Sequence, residues 1–152
     1  MRGPLPRLCV PTLLLALTAS GCGTARLYEG PTRPASQISI LKIQNDRARV
    51  TIEDIDDVAV RARTVELLPG VHHVWVRTKY VQTFNSGFMK TSFTVLARCH
   101  ARIETRAGHS YRLAPRVTMH DEGMLTESLS LSLHVEDEGV PGENIARQTC
   151  YY

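Results

Sequence analysis

Residues 92–104 read SFTVLARCHARIE. Phe93, Val95, Ala97, Cys99, Ala101 and Ile103 fall on one side of an extended chain. Ser92, Thr94, Arg98, His100, Arg102 and Glu104 fall on the other, with Leu96 the one apolar exception. Successive side chains of a strand point to opposite faces, so the alternation predicts a strand with one face in a core and one in water. Upstream the same period recurs in Val71 to Val81, after the turn signal Pro69-Gly70, and in Val65 and Leu67 before it. Further back, Val50, Ile52 and Ile55 follow the turn-forming Asn45-Asp46, which is preceded by Ile38, Ile40, Leu41 and Ile43. Downstream, Ala107-Gly108 marks a turn before Tyr111 and Leu113, and Val117 and Met119 continue past Pro115. Proline donates no ladder hydrogen bond, so Pro115 predicts an edge or a bulge. Leu129, Leu131, Leu133 and Val135 then alternate with Ser130, Ser132 and His134. No window keeps an apolar stripe at helical spacing. About seven short strands separated by turns predict an all-β domain over residues 38–152, an antiparallel β-sandwich or related barrel.

Composition is consistent with one such domain. The chain has 152 residues, 43% of them apolar and 22% charged, which excludes a disordered acidic chain and a polytopic membrane protein. A net charge of +3 does not point to nucleic acid as a partner.

The N-terminus differs in kind. Arg2 and Arg7 precede an apolar run from Leu8 to Leu17, interrupted by Pro11 and too short to span a bilayer, which takes about 20 residues. A basic start, a short apolar middle and small residues after it are the parts of a secretory signal. The run ends in Thr18-Ala19-Ser20-Gly21-Cys22, which resembles the lipobox of bacterial lipoproteins. The resemblance implies that residues 1–21 are a signal peptide and that Cys22 is the lipidation site. Cys22 would carry a diacylglyceryl thioether and an N-linked acyl chain such as palmitate, more than one chain being what stable anchoring requires. Gly23 rather than Asp after it implies the outer membrane, with the domain on the periplasmic side. The alternative is an ordinary cleavage site followed by a bystander cysteine. Gly23, Gly30, Pro31 and Pro34 break any regular structure from Gly23 to Gln37, so residues 22–37 are expected to be a lipidated flexible tether. Fully extended, it would reach at most about 50 Å. The mature chain of 131 residues would hold 16 basic and 15 acidic side chains, and a chain that long buries enough surface to fold without a metal.

Cys9 leaves with the signal and Cys22 with the lipid, so Cys99 and Cys150 remain to form one disulfide in an oxidising compartment, or to stay as two separate thiols. A bridge would close a loop of roughly 50 residues, stabilising the fold by about 4 kcal/mol on the chain-entropy model, and would staple the C-terminal Cys150-Tyr151-Tyr152 to the middle of a strand.

Three further patches look familiar. Leu27-Tyr28-Glu29-Gly30-Pro31 followed by Arg33-Pro34 (LYEGPTRP) resembles the start of a group of small uncharacterised lipoproteins of Gram-negative bacteria. Glu66-Leu67-Leu68-Pro69-Gly70 (ELLPG) before a Val-rich strand is similar to a hairpin of that group and of PEGA-type surface domains. Ala107-Gly108-His109 with Tyr111 and Leu113 resembles a Gly-His-x-Tyr turn of such proteins. The resemblance covers about a third of the chain and implies an exported β-sandwich without an established catalytic activity.

The residues that carry chemistry are few. Six histidines invite a metal, but His72 and His73 are adjacent and face opposite ways on a strand, and His100 and His134 meet only if their strands are neighbours. The three or four ligands of a zinc site at preserved spacing are missing, so no metal or other cofactor is expected. Glu53, Asp54, Asp56 and Asp57 lack the EF-hand pattern and read as a polar turn. No Gly-x-Ser-x-Gly, His-Glu-x-x-His or phosphate loop is present, so a hydrolase would need dispersed residues. Charge is placed unevenly, with 15 basic and 8 acidic residues over 22–119 against 1 and 7 over 120–152. Either the acidic C-terminal part lies on the basic body, or Arg98, His100 and Arg102 on one strand face meet anionic envelope material. Trp75, the only tryptophan, is placed by alternation with His73, Arg77 and Lys79, where it either binds a sugar ring or a partner's anchor residue, or covers a core edge. His73, Trp75, Arg77, Arg98 and Arg102 are thus the candidate binding face. The sequence as a whole predicts a lipid-anchored, periplasm-facing β-sandwich that binds or supports an envelope component without catalysis. The alternatives are a glycan- or peptidoglycan-binding module and a hydrolase.

Overall fold

The computed structural model describes residues 23–121, 127–140 and 144–152. The expected signal peptide and Cys22 lie outside the described residues, and no helix among those described is long and apolar enough to cross a membrane. The described chain is nearly all β. Its strands are β1 (Thr24–Arg26), β2 (Ser39–Ile43), β3 (Ala48–Ile55), β4 (Val58–Ala59), β5 (Thr64–Leu67), β6 (Gly70–Ser86), β7 (Met89–Thr105), β8 (Ser110–Asp121), β9 (Glu127–Asp137) and β10 (Asn144–Tyr151). Their lateral order is β1-β5-β2-β8-β9-β10-β7-β6-β3-β4. The order folds into two packed sheets that share β10, the all-β sandwich expected from the alternation.

Ten strands rather than seven are present among the described residues, and the pairing is mostly but not wholly antiparallel, because β1 runs parallel to β5 and β2 to β8. The strands that periodicity missed are short or weakly patterned. β1 and β4 have too few residues to show a period. β10 (NIARQTCY) mixes small and polar side chains, yet it holds the central place between β9 and β7.

The core is continuous between the sheets. Leu41, Val65, Leu113, Leu133 and Val135 from the first meet Ile55, Val74, Val76, Ala101 and Ile103 from the second, all fully buried. Cys99 points inward as its alternation requires, directly opposite Cys150, and the two form a disulfide with Cα atoms 4.2 Å apart. Pro115 lies where β8 has outrun β2, whose last partner on β8 is Leu113, so that side of the strand is open as proline needs.

Two expectations are corrected. The segment read as a flexible tether is fastened to the domain: Thr24–Arg26 pair with Thr64–Glu66, and the Leu27 amide donates to the Glu66 carbonyl at 3.0 Å. Breakers stop helices, but three residues still suffice to extend a sheet edge. The strand expected to end at Val81 runs on to Ser86 and turns at Gly87-Phe88 into Met89, with Gly87 at φ +54°, a left-handed conformation that suits glycine. Phe93, assigned by alternation to the core face, therefore sits on a part of β7 that leaves the sandwich and is exposed, whereas Val95, nearer the body, is half-buried against the core as expected. Alternation tells which face a residue is on. It does not tell whether anything covers that face.

Two of the three familiar patches meet, and the third closes its own turn. The Tyr28 hydroxyl donates to Glu66 of ELLPG at 3.0 Å, and Arg26 pairs with the same carboxylate. The Gly108 amide donates to the Ile38 carbonyl at 2.8 Å, and the Tyr111 hydroxyl accepts from the Arg106 amide at 2.7 Å, which closes the 106–111 turn.

Candidate binding face and arginine groove

β6 and β7 pair over their whole length, and the register sets His73 opposite Arg102, Trp75 opposite His100, and Arg77 opposite Arg98. The candidate residues that the sequence placed on two separate strands are therefore one outward-facing strip. The expected indole beside cations is present but partly covered. The Arg98 guanidinium lies 4.3 Å from the Trp75 ring centroid, a cation–π contact, and the His100 ring is 4.6 Å from it at 36°. His73 stacks on His100 at 5.3 Å, and Nδ1 of one ring lies 3.1 Å from Nε2 of the other.

The arginines are held by β3. At the register shift between Ile52 and Asp54, Glu53 is the extra residue of a bulge, and a bulge re-aims a side chain. One Glu53 oxygen accepts from Arg98 Nε at 2.8 Å and the other pairs with Arg77, while Asp54 lies 3.6 Å from Arg98 Nη2. The acidic group read as a polar turn thus divides. Glu53 and Asp54 clamp the two arginines, whereas Asp56 and Asp57, at φ 50° and 65°, form the turn proper. His72 and His73 do face opposite ways: His72 bonds Asp56 at 2.6 Å and the Leu68 carbonyl at 2.8 Å. Burial raises the Asp56 carboxyl, but the His72 hydrogen bond, the His73 amide and the charge of both rings outweigh it and hold the group below its ordinary range. His100 meets His73 instead of His134, because β10 separates β7 from β9. No cluster of three or more ligating side chains occurs among the described residues.

The strip runs into a feature that the sequence did not reveal. Beside Arg77 opens a groove of about 700 Å³, lined by Arg49, Arg61 and Arg63 as well, with Glu53 its one carboxylate. Ile43, Val60 and Ala62 add an apolar lining. Gly23 and Ala59 lie on its wall, so it opens where the two ends of the strand order approach each other. No described carboxylate pairs with Arg49, Arg61, Arg63 or Arg102. Arg61 and Arg63 belong to the irregular link 60–63 between β4 and β5, which has no period to signal a site. Arginine forks are suited to carboxylate and phosphate, so this arrangement can hold an extended anionic ligand whose apolar part rests on the groove floor.

The fold and face together define a β-sandwich with an arginine-lined groove beside an outward strip of aromatic and basic side chains. Comparison with protein families, with characterised proteins and with solved structures finds no match to this chain.

Proposed function

We propose that this protein is a non-catalytic envelope lipoprotein, anchored in the outer membrane through Cys22 and facing the periplasm, whose sandwich binds an anionic partner. The observation that carries the binding reading is the arginine groove, in which Arg49, Arg61 and Arg63 stand without carboxylate partners among the described residues, beside the clamped Arg77. An anionic envelope glycan or an acidic segment of an envelope protein has the matching chemistry. Trp75 serves here as a rigid wall that fixes Arg98, and a sugar stacking on the face that Arg98 covers would first have to displace it. The likeness of LYEGPTRP and ELLPG to small Gram-negative lipoproteins supports the same location. Photo-crosslinking in living cells from a probe in place of Arg61 tests the binding: adducts with one recurrent envelope protein or with glycan are expected, and they should vanish when Arg49→Glu and Arg63→Glu are added. Absence of adducts from the unmutated groove would overturn it. Anchoring is tested by incorporation of labelled palmitate, which Cys22→Ala should abolish.

A further inference from the structure

β3 pairs with β6 only as far as Tyr80, and β10 meets β7 at Arg98 and Cys99. Beyond these points residues 81–86 and 89–96 continue as a two-stranded ribbon with no third strand beside it among the described residues. Its two faces differ. The face that carries Val76, Thr78 and Tyr80 in the core goes on through Gln82 and Phe84 and returns through Met89, Thr91, Phe93 and Val95. Phe84 and Phe93 stack on it at 5.6 Å. The opposite face holds Thr83, Asn85, Lys90, Ser92 and Thr94, with Val81 and Leu96 near the base. At the turn Phe88 is fully exposed and Met89 is 71% exposed. The core pattern has thus been carried outside the core, on an amphipathic arm with an aromatic tip.

Charge indicates what that arm meets. No Asp or Glu occurs between Glu66 and Glu104, while Lys79 stands at the root of the arm and Lys90 near its tip; Arg77 and Arg98, on the body, are already paired with Glu53. An exposed apolar tip with lysines behind it is complementary to an anionic lipid surface, into which the rings insert while the ammonium groups stay at the headgroups. Position agrees. Thr24 pairs with Thr64, Thr64 with Lys42, and β2 returns through residues 44–47 to Ala48, which pairs with Tyr80 at the root of the ribbon. Asn45 and Arg63 line both the groove beside Gly23 and the hollow beside Lys79 and Val81. Gly23, the neighbour of Cys22, therefore lies at the end of the sandwich from which the arm projects. On the β8–β9 hairpin Arg116 is level with Ser132, and Ser132 with Thr149, next to the Cys150–Cys99 pair. The arm's tip reaches ~20 Å farther than Asp121 and Glu127 at about 3.3 Å per residue.

We infer that the β6–β7 arm dips its tip, Phe88 and Met89, into the anionic phospholipid surface beside the anchor, giving the domain a second attachment and a fixed orientation. The inference rests on the envelope reading above, since an acyl anchor at Cys22 would bring the arm to its lipid at high effective concentration. The test uses full-length protein carrying Phe88→Trp and Trp75→Phe, in vesicles of phosphatidylethanolamine and phosphatidylglycerol brominated on the acyl chains. Blue-shifted emission quenched by the bromine is expected, and it should weaken with Lys90→Glu or when phosphatidylcholine replaces the anionic lipid. Phe93→Trp in place of Phe88→Trp gives the same readout should the first variant fail to fold. Intact mass reports the anchor separately. A lipidated chain with unquenched emission overturns the arm alone, and quenching of an unlipidated chain supports the arm while overturning the anchor. A blue shift that appears without vesicles and grows with protein concentration would identify a second copy as the occupant and overturn the inference.

Discussion

At the scale of single residues, a few side chains and one glycine hold geometry that the rest of the chain depends on. The Cys99–Cys150 bridge spans 51 residues and joins the C-terminal strand to the centre of the second sheet. Replacing both cysteines with Ala should lower the unfolding free energy by about 4 kcal/mol, as read from urea titrations. Gly108 sits at φ +81° with its amide on the Ile38 carbonyl. A Cβ there meets only Ser36 at 3.8 Å, so Gly108→Ala should cost ~1–2 kcal/mol from the left-handed backbone and not from crowding. Asp56 links pH to stability. Its carboxyl is held below the range of the unfolded chain by His72 and His73, so its contribution is complete above the unfolded value, near 3.9, and is lost as pH falls through the folded one. The stability difference between wild type and Asp56→Asn should therefore shrink as pH falls into strong acid, a trend that denaturation curves taken along an acid series will show. Glu53→Gln should free Arg98 from its clamp and increase quenching of Trp75 by acrylamide.

At the scale of elements, β7 contains the lesson of the whole sheet. From Ala97 to Thr105 its odd-numbered side chains are buried, and from Met89 to Thr94 the side chains are exposed, although the alternation is unbroken. Truncations on the two halves should separate them. Ile103→Ala opens a cavity in the core and should cost about 2–5 kcal/mol, whereas Phe88→Ser with Met89→Ser should change stability by less than about 0.5 kcal/mol, both measured by urea unfolding. β1 shows the converse case, a segment without pattern that is ordered by its neighbour, since its ladder falls on β5 and both Tyr28 and Arg26 reach Glu66 of that strand.

At the scale of the molecule, the uneven charge is resolved by docking. Glu136, Asp137 and Glu138 of the acidic C-terminal part lie on Arg112, His109 and Lys42 of the basic body. Glu136 raises the Arg112 guanidinium above its ordinary range. The Arg112–Glu136 and Lys42–Glu138 pairs are partly exposed, and such pairs are worth about 0–1 kcal/mol each. Arg49, Arg61 and Arg63 of the groove have no carboxylate partner among the described residues. Raising salt to 1 M, where the Debye length is about 3 Å, should therefore shift the melting temperature little while reducing crosslinking from the groove sharply.

The alternation in residues 92–104 and its echoes along the chain determined the all-β sandwich, the inward Cys99 and the outward strip of Trp75, because facing is a local property of period two. Pairing is not local. That His73, Trp75 and Arg77 stand beside Arg98, His100 and Arg102, that Glu53 clamps two arginines, and that Arg61 and Arg63 close a groove with Arg49 all depend on register and on a bulge. So do the docking of β1 and the projection of the arm. Each is set by which strand ends first beside which, a comparison between distant segments that only the folded arrangement makes.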